Sequence, residues 1–169
     1  MSLEDERTTI RKSLSVLRDV SGAKVQGWVT PIYGWTQNTI GFLAEEGLAW
    51  TSDGMHASMP EIVHVNGRRL VLIPWSEFVE NRVRATPRVY FETYKDTFDY
   101  LYRFEPNGFI NLGIHAHFGG RPLASAQFLK VLQYFKSFPD VWFPTHDELA
   151  EHVLNYAEGS TAYSARFFS

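Results

Sequence analysis

The run Ile110-Asn111-Leu112-Gly113-Ile114 is short and rich in branched apolar side chains, with Gly108 before it and Gly119-Gly120 after it. Such a run predicts a strand covered on both faces. It ends in His115-Ala116-His117, followed by Phe118 and the Gly-Gly-Arg-Pro of residues 119–122. Two imidazoles are therefore expected at a sheet edge, where open α/β folds place their ligands. Side chains two apart on a strand share a face, so His115 and His117 can act as a pair. The competing reading is a strand that leaves the core through a polar turn.

The rest of the chain alternates in the same way. Glu4 to Val20 reads as an amphipathic helix with Ile10, Leu14 and Leu17 on one face and Gly22 as its stop. Val25 to Val29 reads as a strand ended by Thr30-Pro31. Thr36 to Glu46 follows as a helix with Thr36 at its N-cap and Gly47 as its stop, and Leu48 to Thr51 as the next strand. Ile62 to Val65 and Arg68 to Ile73 flank Asn66-Gly67, a strong hairpin signal. Phe91, Tyr94, Phe98, Leu101 and Tyr102 carry helical spacing, as do Phe128, Val131, Leu132 and Phe135. Val141 to Phe143 reads as a last strand. Thr145 and Glu148, three residues apart, then form a capping box for a helix carrying Leu149, Ala150, Val153, Leu154 and Ala157, and the tail after Gly159 is expected to fray or pair with another chain. Strand–helix alternation predicts an α/β fold with parallel strands, outer helices and one hairpin, the sheet being open or part of a barrel. With 169 residues and no linker or repeat, one domain is expected.

Composition limits the partners. The formal charge is -3, which offers nothing to nucleic acid. No apolar run approaches membrane-spanning length and no signal-peptide core is evident at the N-terminus, so no membrane partner and a cytoplasmic location are expected. The absence of cysteine removes disulfides, thiolate metal ligands and a cysteine nucleophile.

Five stretches in order carry a resemblance. They are Gly27-Trp28-Val29-Thr30-Pro31, Leu43-Ala44-Glu45-Glu46-Gly47-Leu48, Thr51-Ser52-Asp53, the His115 run with Gly120-Arg121-Pro122, and Val141-Trp142-Phe143-Pro144-Thr145 with Glu148-Leu149-Ala150. Together, across about residues 21–152, they resemble the C-terminal half of the polysaccharide deacetylase (NodB-homology) superfamily, most closely its allantoinase-like branch. The resemblance implies part of a distorted (β/α) barrel that hydrolyses non-peptide C–N (amide) bonds, with an N-acetylated sugar or a small ureide as substrate. It also implies a divalent, zinc-type metal held by one aspartate and two histidines, an aspartate base, and a late-strand histidine that protonates the leaving amine. His115 matches that histidine. Trp28 and Pro31 match the pocket-wall motif, and Trp50 to Asp53 the strand after it.

The departures are as informative. No Asp-Asp occurs, and the six histidines (His56, His64, His115, His117, His146, His152) include no pair separated by three residues. The metal ligands and the base implied by the family are thus not found in this chain. Val29 stands where an arginine is usual, and Ala57-Ser58 where an acidic pair is expected. A complementary N-terminal half, or a second copy of the chain, is therefore the expected partner. The alternative is a non-catalytic module that binds a carbohydrate or a partner chain.

Several residues remain open to two readings. Asp53 is either a site residue or a turn or cap residue, and His117 either a functional neighbour or a solvent-facing one. Trp28, Trp35, Trp50 and Trp75 either line a sugar-binding cleft or fill the core. Arg121 either holds an anionic group or braces the Gly-Gly turn with a salt bridge. Glu77 and Glu80 read as solvated residues at a helix start.

Overall fold

Ser2 opens the first helix, α1 (Leu3–Ser21), through a capping box with Asp5: each residue's side chain accepts the other's backbone N–H at 3.1 Å. Ile10 and Leu14 turn inward from α1, and Gly22 closes it in the left-handed conformation. Leu17, expected beside them, is 49% exposed. This computed structural model describes residues 2–53, 58–75 and 86–156. Glu77, Glu80, His56 and the tail after Gly159 lie outside the described residues.

The described chain divides into two compact units, Met1–Pro74 with Pro144–Ser169, and Trp75–Phe143. The first holds a four-stranded mixed sheet of β1 (Gly27–Trp28), β2 (Trp50–Thr51), β3 (Glu61–Val65) and β4 (Arg68–Leu72), in the order β1-β2-β4-β3. β1, β2 and β4 run parallel, and β3 pairs antiparallel with β4. Asn66 and Gly67 make that hairpin turn with φ of 51° and 72°, the pair of positive values that a two-residue type I′ turn needs. The sheet is open; no barrel closure is present among the described residues.

Register assigns the two faces. Leu70 and Val63 are paired across the hairpin and pack with Ile10 and Leu14 of α1 and with Phe42 and Leu43 of α2 (Thr39–Glu45). Gly27, Trp50, Val71 and Ile62 are in register with one another on the other face. There the last helix, α6 (His146–Tyr156), stacks His146 on Trp50 and accepts a hydrogen bond from Arg69 at the Leu154 carbonyl. Helices on both faces explain why Leu70, Val71 and Ile73 are all fully buried. The capping box before α6 forms as expected: Thr145 donates its backbone N–H to Glu148 at 2.7 Å and its hydroxyl accepts the Glu148 N–H at 3.2 Å.

α2 is shorter than expected. Its N-cap is Asn38, which makes no side-chain cap bond. Thr36 instead accepts the Asn38 N–H at 3.0 Å and gives its hydroxyl to Glu6 of α1. The carboxylate of Glu6 is buried, with the hydroxyls of Thr36 and Thr39 as donors, so α1 fixes the start of α2.

In the second unit α3 (Pro87–Phe104) packs on α5 (Pro122–Lys136) through Tyr90, Tyr94 and Phe98 against Val131 and Phe135. Phe98 stacks on Phe135 with centroids 4.4 Å apart. The expected strands Ile110–Ile114 and Val141–Phe143 belong to no ladder among the described residues. Ile110, Leu112 and Val141 bury against the α3–α5 core, so helix packing absorbs the apolar pattern that suggested strands. The short helix α4 (Ala116–Gly119), which the sequence did not announce, follows directly.

Candidate functional site

The residues marked by the sequence fall in both units, Trp28, Pro31, Trp50 and Asp53 in the first and His115, His117 and Arg121 in the second. Each group has its own geometry.

In the first unit Thr30 joins Trp28 to Asp53. The Trp28 indole N–H donates to the Thr30 hydroxyl at 2.8 Å, and that hydroxyl donates to Asp53 Oδ2 at 2.6 Å. The Thr30 backbone N–H donates to Asp53 Oδ1 at 2.8 Å. Asp53 is only 6% exposed, and its own N–H reaches the Thr51 hydroxyl. Both carboxylate oxygens thus hold the backbone just after β1. Such an arrangement makes the aspartate a brace between two strand ends, each of its oxygens accepting one charge-assisted bond. Pro31 starts a tight turn in which Gly34 donates to the Pro31 carbonyl at 3.1 Å.

Trp50 is bounded by neighbours. An atom at the Cβ position of Gly27 would lie 1.9 Å from its ring, so only glycine lets the indole lie flat against β1. His146 stacks on the ring at 4.8 Å, and the indole N–H donates to Asp147 at 2.6 Å. His146 and Asp147 are the residues that sequence reasoning missed. The capping box located the start of α6, but nothing local tied that start to a tryptophan 97 positions away.

Burial pushes the His146 imidazole below its ordinary value near 6.5, outweighing the upward pull of Asp147. The folded chain therefore binds this proton less readily than the unfolded chain does. Stability is unaffected above that ordinary value and is lost as pH falls below it. Thermal melts should show a larger loss of Tm between about pH 8 and pH 5 for the natural chain than for His146→Phe, which keeps the stacking and cannot titrate. Equal losses would remove His146 from the acid response.

In the second unit His115 is the N-cap of α4. Its carbonyl accepts the N–H groups of Phe118 at 3.2 Å and Gly119 at 2.6 Å. A Cβ at Gly119 would meet Ile114 Cγ1 at 1.9 Å, so the glycine allows α4 to seat directly on the residue before His115. The half-buried His115 ring lies 5.7 Å from the exposed His117 ring, at 75°. His117 lies within α4, tilted over Phe118 at 4.3 Å. The Arg121 guanidinium lies 5.6 Å from the Phe118 ring centroid, and among the described residues it makes no salt bridge; the ring takes the place of the expected acidic partner.

No group of three or more histidine and carboxylate side chains is placed to hold a metal ion among the described residues. His115 and His117 offer two imidazoles without a third donor, and the Asp53 oxygens are engaged by Thr30. The described residues do not by themselves fit the zinc-type site that the resemblance implies.

No family model and no curated protein matches the chain. Solved structures do. A probable polysaccharide deacetylase from Pseudomonas aeruginosa PAO1 is 24% identical, with a TM-score of 0.83 over 92% of this chain and 55% of its own. Puue allantoinase is 24% identical, with a TM-score of 0.84 over 95% of this chain and 56% of its own. A protein of Mycobacterium smegmatis assigned to the polysaccharide deacetylases is 22% identical, with a TM-score of 0.82 over 90% and 57%. This chain accordingly has the fold shared by the polysaccharide deacetylase structures and Puue allantoinase, and spans a little over half of their length.

Proposed function

We propose that the chain is part of a deacetylase-like hydrolase of non-peptide C–N bonds, in which His115 gives a proton to the leaving nitrogen. The observation that carries this reading is the seat of His115. Its carbonyl accepts two backbone hydrogen bonds and Gly119 packs against Ile114, which fixes the point from which the imidazole leaves the chain. The fold shared with a probable polysaccharide deacetylase and with Puue allantoinase supports that reaction class. Metal and base belong to a complementary half of the barrel, and the substrate is an N-acetylated sugar or a small ureide.

A second reading, a binding module without catalysis, is favoured by the engagement of Asp53 with Thr30 and of Trp50 with His146 and Asp147. The two separate on reconstitution. Co-expression with an upstream-encoded segment carrying an Asp-Asp and a His-x-x-x-His pair is expected to yield one metal per assembly by elemental analysis. The assembly should release acetate from an N-acetylated sugar or open a ureide. A metal-free, inactive assembly leaves the binding module as the correct reading.

A further inference from the structure

The sheet of the first unit stops at β1. Among the described residues β1 pairs with β2 on one side, and its other side carries no strand. The carbonyls of Gln26 and Trp28 face β2, where they accept the N–H groups of Ala49 at 2.8 Å and Ser52 at 3.1 Å. Backbone groups alternate in direction along a strand, so Gly27 and Val29 turn theirs to the open side. Such an edge is a template for another strand.

The helix that leads into β1 is uncovered as well. Ile10 and Leu14 of α1 are buried, but Leu17, on the same face one turn later, is 49% exposed. Val16 and Val20 beside it are 51% and 84% exposed. Three adjoining aliphatic side chains on the last turns of a helix mark a contact surface more readily than a solvated one.

The handedness of the chain joins these two features. β1, α2 and β2 form a parallel crossover, and α1 and α2 pack on one face, in a single cluster with Leu70. Parallel crossovers are right-handed in nearly all proteins. With both helices on the same face, each step of such a series moves in one direction, from β1 towards β2. A strand placed before α1 in the series therefore falls on the free side of β1, and its helix flanks α1. The chain spans 55–57% of the solved structures that share its fold, so nearly half of each lies outside the match.

We infer that the free edge of β1 and the Val16, Leu17 and Val20 face of α1 are the docking surface for the complementary half, which adds a parallel strand to β1 and an apolar helix to α1. The existence of that half rests on the hydrolase reading; its docking place rests on sheet order and exposed side chains. The added strand bonds the Gly27 and Val29 backbone groups, and the added helix removes the three aliphatic side chains from water.

The test uses the full chain, alone and co-expressed with the upstream-encoded segment carrying the Asp-Asp and His-x-x-x-His pair. Amide hydrogen exchange is expected to be free at Gly27 and Val29 in the chain alone and about 100-fold slower in the complex. Val20→Asp, at an exposed position, should leave the Tm of the chain alone unchanged and weaken the complex at least about tenfold, whereas Val20→Ile should not weaken it. Failure to form a complex with that segment overturns the proposal. So does a complex in which both amides stay unprotected or Val20→Asp has no effect. A chain that dimerises alone with those amides protected makes a second copy the occupant and also overturns it. A metal-loaded, active complex without the protection sinks the docking surface alone. The expected protection in a metal-free, inactive complex sinks the hydrolase reading alone.

Discussion

Replacing His115 by alanine in the completed enzyme is expected to lower kcat/KM by about 10²–10⁴, the usual contribution of a positioned general acid. That loss corresponds to about 3–5.5 kcal/mol of transition-state stabilisation. The fold should survive, because His115 caps α4 with its backbone carbonyl and makes no side-chain cap bond. Near-native circular dichroism together with the rate loss would therefore separate chemistry from stability. His117→Ala should cost far less, since that ring is exposed and leans on Phe118. Activity unchanged by His115→Ala removes the acid role and leaves the strand end as a marker of fold alone.

Legibility followed the range of the interactions involved. The Asn66-Gly67 hairpin, the Thr145–Glu148 capping box and the helices α3 and α5 depend on residues a few positions apart and formed as read, although Tyr102, at the end of the α3 stripe, is 46% exposed. Ile110–Ile114 carries the composition of a buried strand, yet a strand exists only when another backbone pairs with it. Composition reports burial, and the α3–α5 core provided the burial without a ladder. Leu17 continues the helical spacing of Ile10 and Leu14, but the core they enter ends before it. The site was less readable still. The links from Thr30 to Asp53, Glu6 to Thr36 and Trp50 to Asp147 span 23, 30 and 97 positions, and no local pattern encodes them. Ile32 is the opposite case: its identity argues against a positive φ, and only the fixed ends of its segment explain why it adopts one.

The role of Asp53 can be decided by comparing two substitutions. Asp53→Ala removes both acceptors of Thr30, leaving its backbone N–H and its hydroxyl proton without acceptors in a site where Asp53 is 6% exposed. Hydrogen bonds to a charged group contribute about 1.5–3 kcal/mol each, so the loss should reach about 3–5 kcal/mol in chemical denaturation. Asp53→Asn keeps an oxygen for the Thr30 N–H and presents an amide to the Thr30 hydroxyl, which can accept it beside the Trp28 indole N–H. The charge assistance is lost there, and the Thr30 hydroxyl proton gives up its acceptor, together about 1–2 kcal/mol. A structural brace therefore predicts a steep stability order, natural chain above Asn above Ala, with the Asn variant retaining most of the function of a completed enzyme. An aspartate that moves protons or binds metal predicts the reverse emphasis: Asn and Ala equally inactive whatever their stabilities, because an amide does neither. The observed bonds favour the brace, with Thr30 as the group it holds. Equal inactivation by both substitutions, with the Asn variant fully stable, would return Asp53 to the chemistry.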